Sequence, residues 1–145
     1  MKKDYIVFGL LFLFLSAVVY VTATLSTGRT TFFGRAANTG EVSLEGSKVF
    51  ASPVIAKSGG QERIGITVFV LNTNGLGVPR QNVSLVCRDQ KLCTDAGAVI
   101  FPTQPNTGEK GEAMFDISSP VPATIELQAA VAGRSIPQTV TVVFQ

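Results

Sequence analysis

The stretch ATIELQAAVA, residues 123–132, alternates apolar and polar side chains with a period of two. Ala123, Ile125, Leu127, Ala129 and Val131 fall on one face of an extended chain, and Thr124, Glu126 and Gln128 on the other. Successive strand side chains point to opposite faces, so this pattern predicts a strand with one face on a core and one in water. Gly133-Arg134 then turns the chain, and Ile136–Phe144 returns with Val140, Val142 and Phe144 inward.

The same period extends towards the N-terminus, broken by turn residues. Glu112–Ser118 (EAMFDIS) places Ala113, Phe115 and Ile117 on one face, after the turn Asn106–Gly111 (NTGEKG). Ala98–Phe101 reads as a short strand stopped by Pro102 and Pro105, and Asn82–Cys87 (NVSLVC) alternates with Val83, Leu85 and Cys87 together. Asn74-Gly75 and Gly77, closed by Pro79, predict a tight reversal. Ile64–Leu71 (IGITVFVL) has Ile64, Ile66, Val68 and Val70 on one face and Phe69 and Leu71 on the other, which predicts burial on both sides. Val49–Ile55 (VFASPVI) holds Pro53, which cannot donate to a ladder and belongs on a sheet edge; Ser58-Gly59-Gly60 turns the chain after it.

That makes about seven short strands at turn-separated spacing, with no helical period after residue 24 and no internal repeat. Such a pattern predicts an all-β, two-sheet antiparallel β-sandwich of immunoglobulin type over residues 48–145.

The N-terminus follows other rules. Tyr5–Thr24 (YIVFGLLFLFLSAVVYVTAT) carries no charge. Twenty helical residues at about 1.5 Å each reach about 30 Å, the thickness of a bilayer's hydrocarbon core. Tyr5 and Tyr20 sit near the two ends, where an apolar ring with a polar tip prefers the interface. The run exceeds the roughly 7–15 apolar residues of a cleavable signal. It therefore predicts a transmembrane signal anchor at residues 5–24 and a cytoplasmic tail at 1–4. Residues 25–47, rich in Thr, Ser and Gly, read as a linker to an extracytoplasmic domain. Val21-Thr22-Ala23 keeps the alternative open, since a signal peptidase could cut there and release a secreted module beginning at Thr24. Phe32-Phe33 interrupts the linker, as a short strand, a pair packed on the domain base or a second surface contact.

Composition excludes several function classes. From Lys48 onward the chain has eight basic and seven acidic residues, so it lacks the electrostatic footprint of a nucleic-acid binder. It contains no histidine, which removes the commonest general base and the commonest metal ligand. Asp89 and Asp95 offer two carboxylates, far short of the six to eight oxygens calcium takes. Glu109, Glu112 and Asp116 lie around one hairpin and read as exposed positions without a groove between them. Ser118-Ser119 has no histidine to activate it. No catalytic, cofactor-binding or metal-binding residue is expected, and the chain reads as a non-enzyme.

Cys87 and Cys93 are separated by five residues. In an oxidising compartment such a pair can staple the loop after the third strand, contributing about 2–3 kcal/mol in the chain-entropy model. In the cytoplasm the same residues would remain free thiols.

The stretch from about Ser52 to Phe144 resembles the bacterial immunoglobulin-like domain of the invasin and intimin adhesins, the group 1 (Big-1) type. The matching elements begin with Ser52-Pro53-Val54-Ile55-Ala56 ahead of Ile66-Thr67-Val68. Asn72-Thr73-Asn74-Gly75-Leu76-Gly77-Val78-Pro79 and Asn106-Thr107-Gly108-Glu109-Lys110-Gly111-Glu112-Ala113 follow. Ile125-Glu126-Leu127-Gln128-Ala129 and the closing Val140–Phe144 complete them. The resemblance implies a spacer or adhesive module at a cell surface. Expected partners are the lipid bilayer, through residues 5–24, and another protein or a surface glycan. The Pro53 edge and the loops Asn74–Arg80 and Arg88–Asp95 are the candidate contact surfaces.

Overall fold

The computed structural model describes residues 13–16 and 40–145. The chain divides into two units, Met1–Ala37 and Asn38–Gln145. Of the first, Leu13–Ser16 forms a helical turn with exposed side chains, in which the Ser16 hydroxyl donates to the Leu13 carbonyl at 2.9 Å. No helix among the described residues is long and apolar enough to cross a membrane. The rest of Tyr5–Thr24, and Phe32-Phe33, lie outside the described residues.

The second unit is a sandwich of two four-stranded sheets. The strands are β1 (Val42–Ser52), β2 (Ile55–Ala56), β3 (Ile64–Asn72), β4 (Val83–Cys87), β5 (Val99–Gln104), β6 (Glu112–Ser118), β7 (Ala123–Val131) and β8 (Arg134–Phe144). One sheet runs β1-β3-β6-β5, the other β2-β8-β7-β4. The expected inward residues of β7 face the core: Ile125, Leu127 and Ala129 are fully buried, as is Val131 to within a few per cent. Val142 and Phe144 of β8 join them from one sheet, and Val49, Ile64, Ile66, Val68, Val70, Phe115 and Ile117 meet them from the other. Close packing of two such apolar faces is what holds the layers together.

Four features depart from the sequence expectation, each for a local reason. The first strand begins at Val42, so Val42–Ser47, which composition placed in the linker, is part of the sandwich. A register shift between Ser43 and Lys48 breaks the alternation there. Polar contacts hold this half instead: the buried Ser47 hydroxyl donates to Ser43 O at 2.7 Å and accepts from Leu71 N at 3.1 Å.

Second, Val49–Ile55 is not one strand. The chain leaves the first sheet at the cis Ser52–Pro53 bond and crosses to the other, where β2 pairs parallel to β8. The sandwich is therefore antiparallel except at this edge, and Pro53 does lie where both sheets end. Third, β5 continues through Pro102 to Gln104. It is an edge strand, so the missing N–H of Pro102 removes no central ladder bond.

Fourth, Gln90–Asp95 forms a short helix, α1. Asp89 caps it, accepting from Leu92 N at 3.0 Å. Six residues are too few to display a helical period, and a side-chain cap is the only local signal such a turn leaves.

Candidate functional site

The three surfaces picked out by the sequence fall at two ends of the sandwich. Loop Asn74–Arg80 leads into the start of β4, while α1 follows its end, so the two flank β4 on opposite sides. The Pro53 crossing joins the α1 end: Ser52 pairs with Gly65, next to Ile64 and Ile117, and the Ala96 carbonyl accepts from Ser119.

At the Asn74–Arg80 end, buried polar side chains order the loops. Asn72 Oδ1 accepts from Asn74 N at 2.9 Å and from Leu76 N at 3.0 Å. Thr107 Oγ1 donates to Val78 O at 2.7 Å and accepts from Gln81 N at 2.8 Å, tying the loop to Asn106–Gly111. Gly77 and Gly111 touch at this junction. A Cβ on Gly111 would lie 2.7 Å from Gly77 Cα and 2.5 Å from Val70 O. A rigid loop platform with exposed Leu76 results.

At the other end, the disulfide Cys87–Cys93, S–S 2.00 Å, ties α1 to the end of β4. Cys93 is buried against the core cluster, and the Ala98 N–H donates to its carbonyl at 2.9 Å. Beside it lies an open depression of about 460 Å³, lined by Arg88, Asp89, Leu92, Thr124, Glu126 and Thr141. Removing the crosslink with the double change Cys87→Ser, Cys93→Ser is expected to lower stability by about 2 kcal/mol, because the loop it closes is short. Urea unfolding read by far-UV dichroism measures this. A change below about 0.5 kcal/mol would mean that the core holds α1 without the crosslink.

The carboxylate of Glu126, on β7, is tuned by its hydrogen-bond partners. The Thr139 hydroxyl donates to its Oε1 at 2.7 Å and the Arg88 guanidinium at 2.8 Å, and these hydrogen bonds, the hydroxyl first, hold its carboxyl below the ordinary glutamate range. A folded-state value below the unfolded one stabilises the fold above the ordinary range, and the contribution disappears as pH falls through the lowered value. Glu126→Gln is therefore expected to destabilise at pH 7 and to match the wild type in strong acid. Equal stability of the two proteins at pH 7 would contradict the assignment.

The other carboxylates are dispersed. Asp116 Oδ2 accepts from the Thr103 hydroxyl at 3.3 Å and lies 3.9 Å from the Arg63 guanidinium, which itself sits 4.2 Å over the Phe101 ring. Asp95 pairs with Lys91 on α1, and Asp89 is used by the helix cap, so the two do not converge on one point. No group of three or more His, Cys, Asp or Glu that could hold a metal occurs among the described residues. The sequence had given no hint of the Glu126–Thr139–Arg88 cluster, because its members come from β7, β8 and the residue after β4, which only the sheet brings together.

No protein-family model matches this chain, and no curated protein matches it. Solved structures do. The D00-D0 domain of intimin aligns over 78% of this chain with a TM-score of 0.55 and 22% identity. The adhesin InvE of Yersinia pseudotuberculosis aligns over 72% with a TM-score of 0.55 and 18% identity. A C-terminal 282-residue fragment of intimin, solved in complex with the intimin-binding domain of the translocated intimin receptor, gives the same TM-score of 0.55 at 18% identity. This chain spans about half of the first structure, 51%, and 28% and 33% of the other two. Residues 40–145 thus have the immunoglobulin-like sandwich fold found in the domains of intimin and InvE.

Proposed function

We propose that this chain is a cell-surface module that holds a rigid immunoglobulin-like sandwich outside the cytoplasmic membrane, anchored by residues 5–24, and contacts another protein without catalysing a reaction. The observation that carries the reading is the shared sandwich fold with bacterial adhesin domains. The Cys87–Cys93 bond adds to it, since disulfides persist outside the reducing cytoplasm. A protein is the preferred partner because an intimin fragment of this fold is seen bound to a protein receptor domain. A mature form released by cleavage before Thr24 is the alternative, favoured by the short side chains of Val21-Thr22-Ala23.

The test uses the full chain in intact spheroplasts. External protease is expected to remove the sandwich, while a fragment holding Tyr5–Thr24 stays in the membrane pellet after alkaline carbonate. Both cysteines are expected to resist alkylation until a reductant is added. A protease-protected sandwich with freely alkylated thiols would overturn the surface reading. A mature N-terminus at Thr24 by mass spectrometry would replace anchoring with secretion.

A further inference from the structure

Loop Asn74–Arg80 carries a reactive dipeptide that the proposed function leaves unused. Asn38, Asn72, Asn82 and Asn106 are each followed by Thr or Val, and a β-branched side chain crowds the backbone nitrogen beside it. Asn74 alone is followed by glycine, whose nitrogen no side chain shields. Asn74 and Gly75 are both exposed, and a Cβ on Gly75 would find nothing within 4 Å. Water reaches this pair freely.

The loop is nevertheless latched, and the latch is Asn72. This residue is buried, and the Asn74 and Leu76 N–H groups donate to its Oδ1 at 2.9 and 3.0 Å. The Gly75 N–H donates to its carbonyl at 3.0 Å. The Asn72 N–H in turn donates to Leu76 O at 2.8 Å, and a bridge between Leu71 and Gly77 closes the base of the loop. A Cβ on Gly40 would stand 2.6 Å from Asn72 Nδ2, so the side chain is also walled in on that side.

We propose that Asn74 is a site of spontaneous deamidation and that Asn72 gates it. The Gly75 nitrogen gives up its proton and attacks Asn74 Cγ. The new N–C bond forms as the Cγ–Nδ2 bond breaks, and ammonia leaves with the proton. Water then opens the cyclic imide at either carbonyl to leave aspartate or isoaspartate, and nothing is oxidised or reduced. Attack requires that the Gly75 nitrogen be free of Asn72 O and that the Asn74 backbone turn to carry it over Cγ. Both are blocked while the three N–H groups are held, so the reaction runs through the open loop. Three hydrogen bonds of ordinary net strength make the open loop about a hundredfold rarer than the closed one. The change is one-way. Isoaspartate adds a methylene to the main chain inside the latch, and either product sets a carboxylate at the tip of a candidate contact surface. This inference does not depend on the anchoring reading.

The test incubates the full chain in detergent at mildly alkaline pH and follows the tryptic peptide of residues 64–80 by mass spectrometry. In guanidinium-denatured chain the acid product is expected at Asn74 and not at Asn72. In the folded chain it is expected at least tenfold more slowly. Asn72→Ala is expected to bring the folded rate to within a few-fold of the denatured one, while Asn72→Asp, which keeps the accepting oxygen, is expected to keep the protection. A series in sub-denaturing guanidinium decides the matter even if Asn72→Ala does not fold. There the product rate is expected to rise in step with hydrogen exchange of the residue 74–77 amides. Equal rates in folded and denatured chain, an unchanged rate in folded Asn72→Ala, loss of protection in folded Asn72→Asp, or a rate that stays flat while exchange rises overturns the gate. Absence of product at Asn74 in the denatured chain overturns the site itself.

Discussion

Gly111→Ala is expected to lower stability by about 2–5 kcal/mol. Two costs add. Gly111 has φ +79°, a left-handed conformation that charges an L-residue about 1–2 kcal/mol. Its new Cβ would also stand 2.5 Å from Val70 O and 2.7 Å from Gly77 Cα, both backbone atoms that no rotamer change can move. Overpacking of that kind costs typically 1–3 kcal/mol more. Both neighbours are fixed, because the Val70 N–H donates to the Gly111 carbonyl at 2.8 Å and the Val70 carbonyl accepts from Val78 N at 2.8 Å. A domain of this size loses about 4–8 °C in Tm per kcal/mol, so thermal unfolding is expected at least about 8 °C lower. Gly75→Ala is the internal control. It has φ +74° but nothing within 4 Å of its new Cβ, and should pay the conformational cost alone. Equal losses for the two variants would show that the approach of the two loops is not what holds this end.

Leu127→Ala is the second large effect, expected at about 2–5 kcal/mol. Leu127 is fully buried at the centre of β7, between Cys87 of β4 and Val140 of β8 in register, and no side chain on these strands can collapse into the space without leaving its own contacts. Thr124→Ala, on the outward face of the same strand, is expected to change stability by less than about 0.5 kcal/mol. The difference between the two, read from urea midpoints, measures the face assignment directly. A slip of one residue in the pairing would move every inward side chain to the solvent face, and the two variants would exchange their effects. A loss below about 1 kcal/mol for Leu127→Ala would mean that β7 does not line the core as described.

The alternation of β3, β6, β7 and β8 was legible because each strand lies inside a sheet or runs its full length against one apolar layer. There the pleat alone decides which residues turn inward, and Ile125, Leu127 and Ala129 follow it without exception. The same logic failed where polar contacts replace apolar ones. Val42–Ser47 is a strand because the Ser47 hydroxyl stands in for part of a ladder, and α1 is a helix because Asp89 caps it and the Cys87–Cys93 bond draws it to β4. Neither device has a period to find. Pro53 did mark an edge, since a missing donor says where a strand cannot be central, but it could not say that the chain would change sheets there.

The residue pattern on its own was enough to establish strands, turns and the face of each strand that meets the core, because period-two burial is a property of a single extended segment. Its apolar first two dozen residues likewise established an expectation of a membrane segment from length and lack of charge. Which strands are neighbours, which sheet each joins, and hence which side chains stand opposite one another could be settled only by the folded sandwich. The Glu126–Thr139–Arg88 cluster, the Gly77–Gly111 contact and the cross-strand row Lys48–Phe69–Glu112 each join residues far apart in the chain. Such pairings arise from the summed packing of two complete layers, a quantity that no local window of sequence contains.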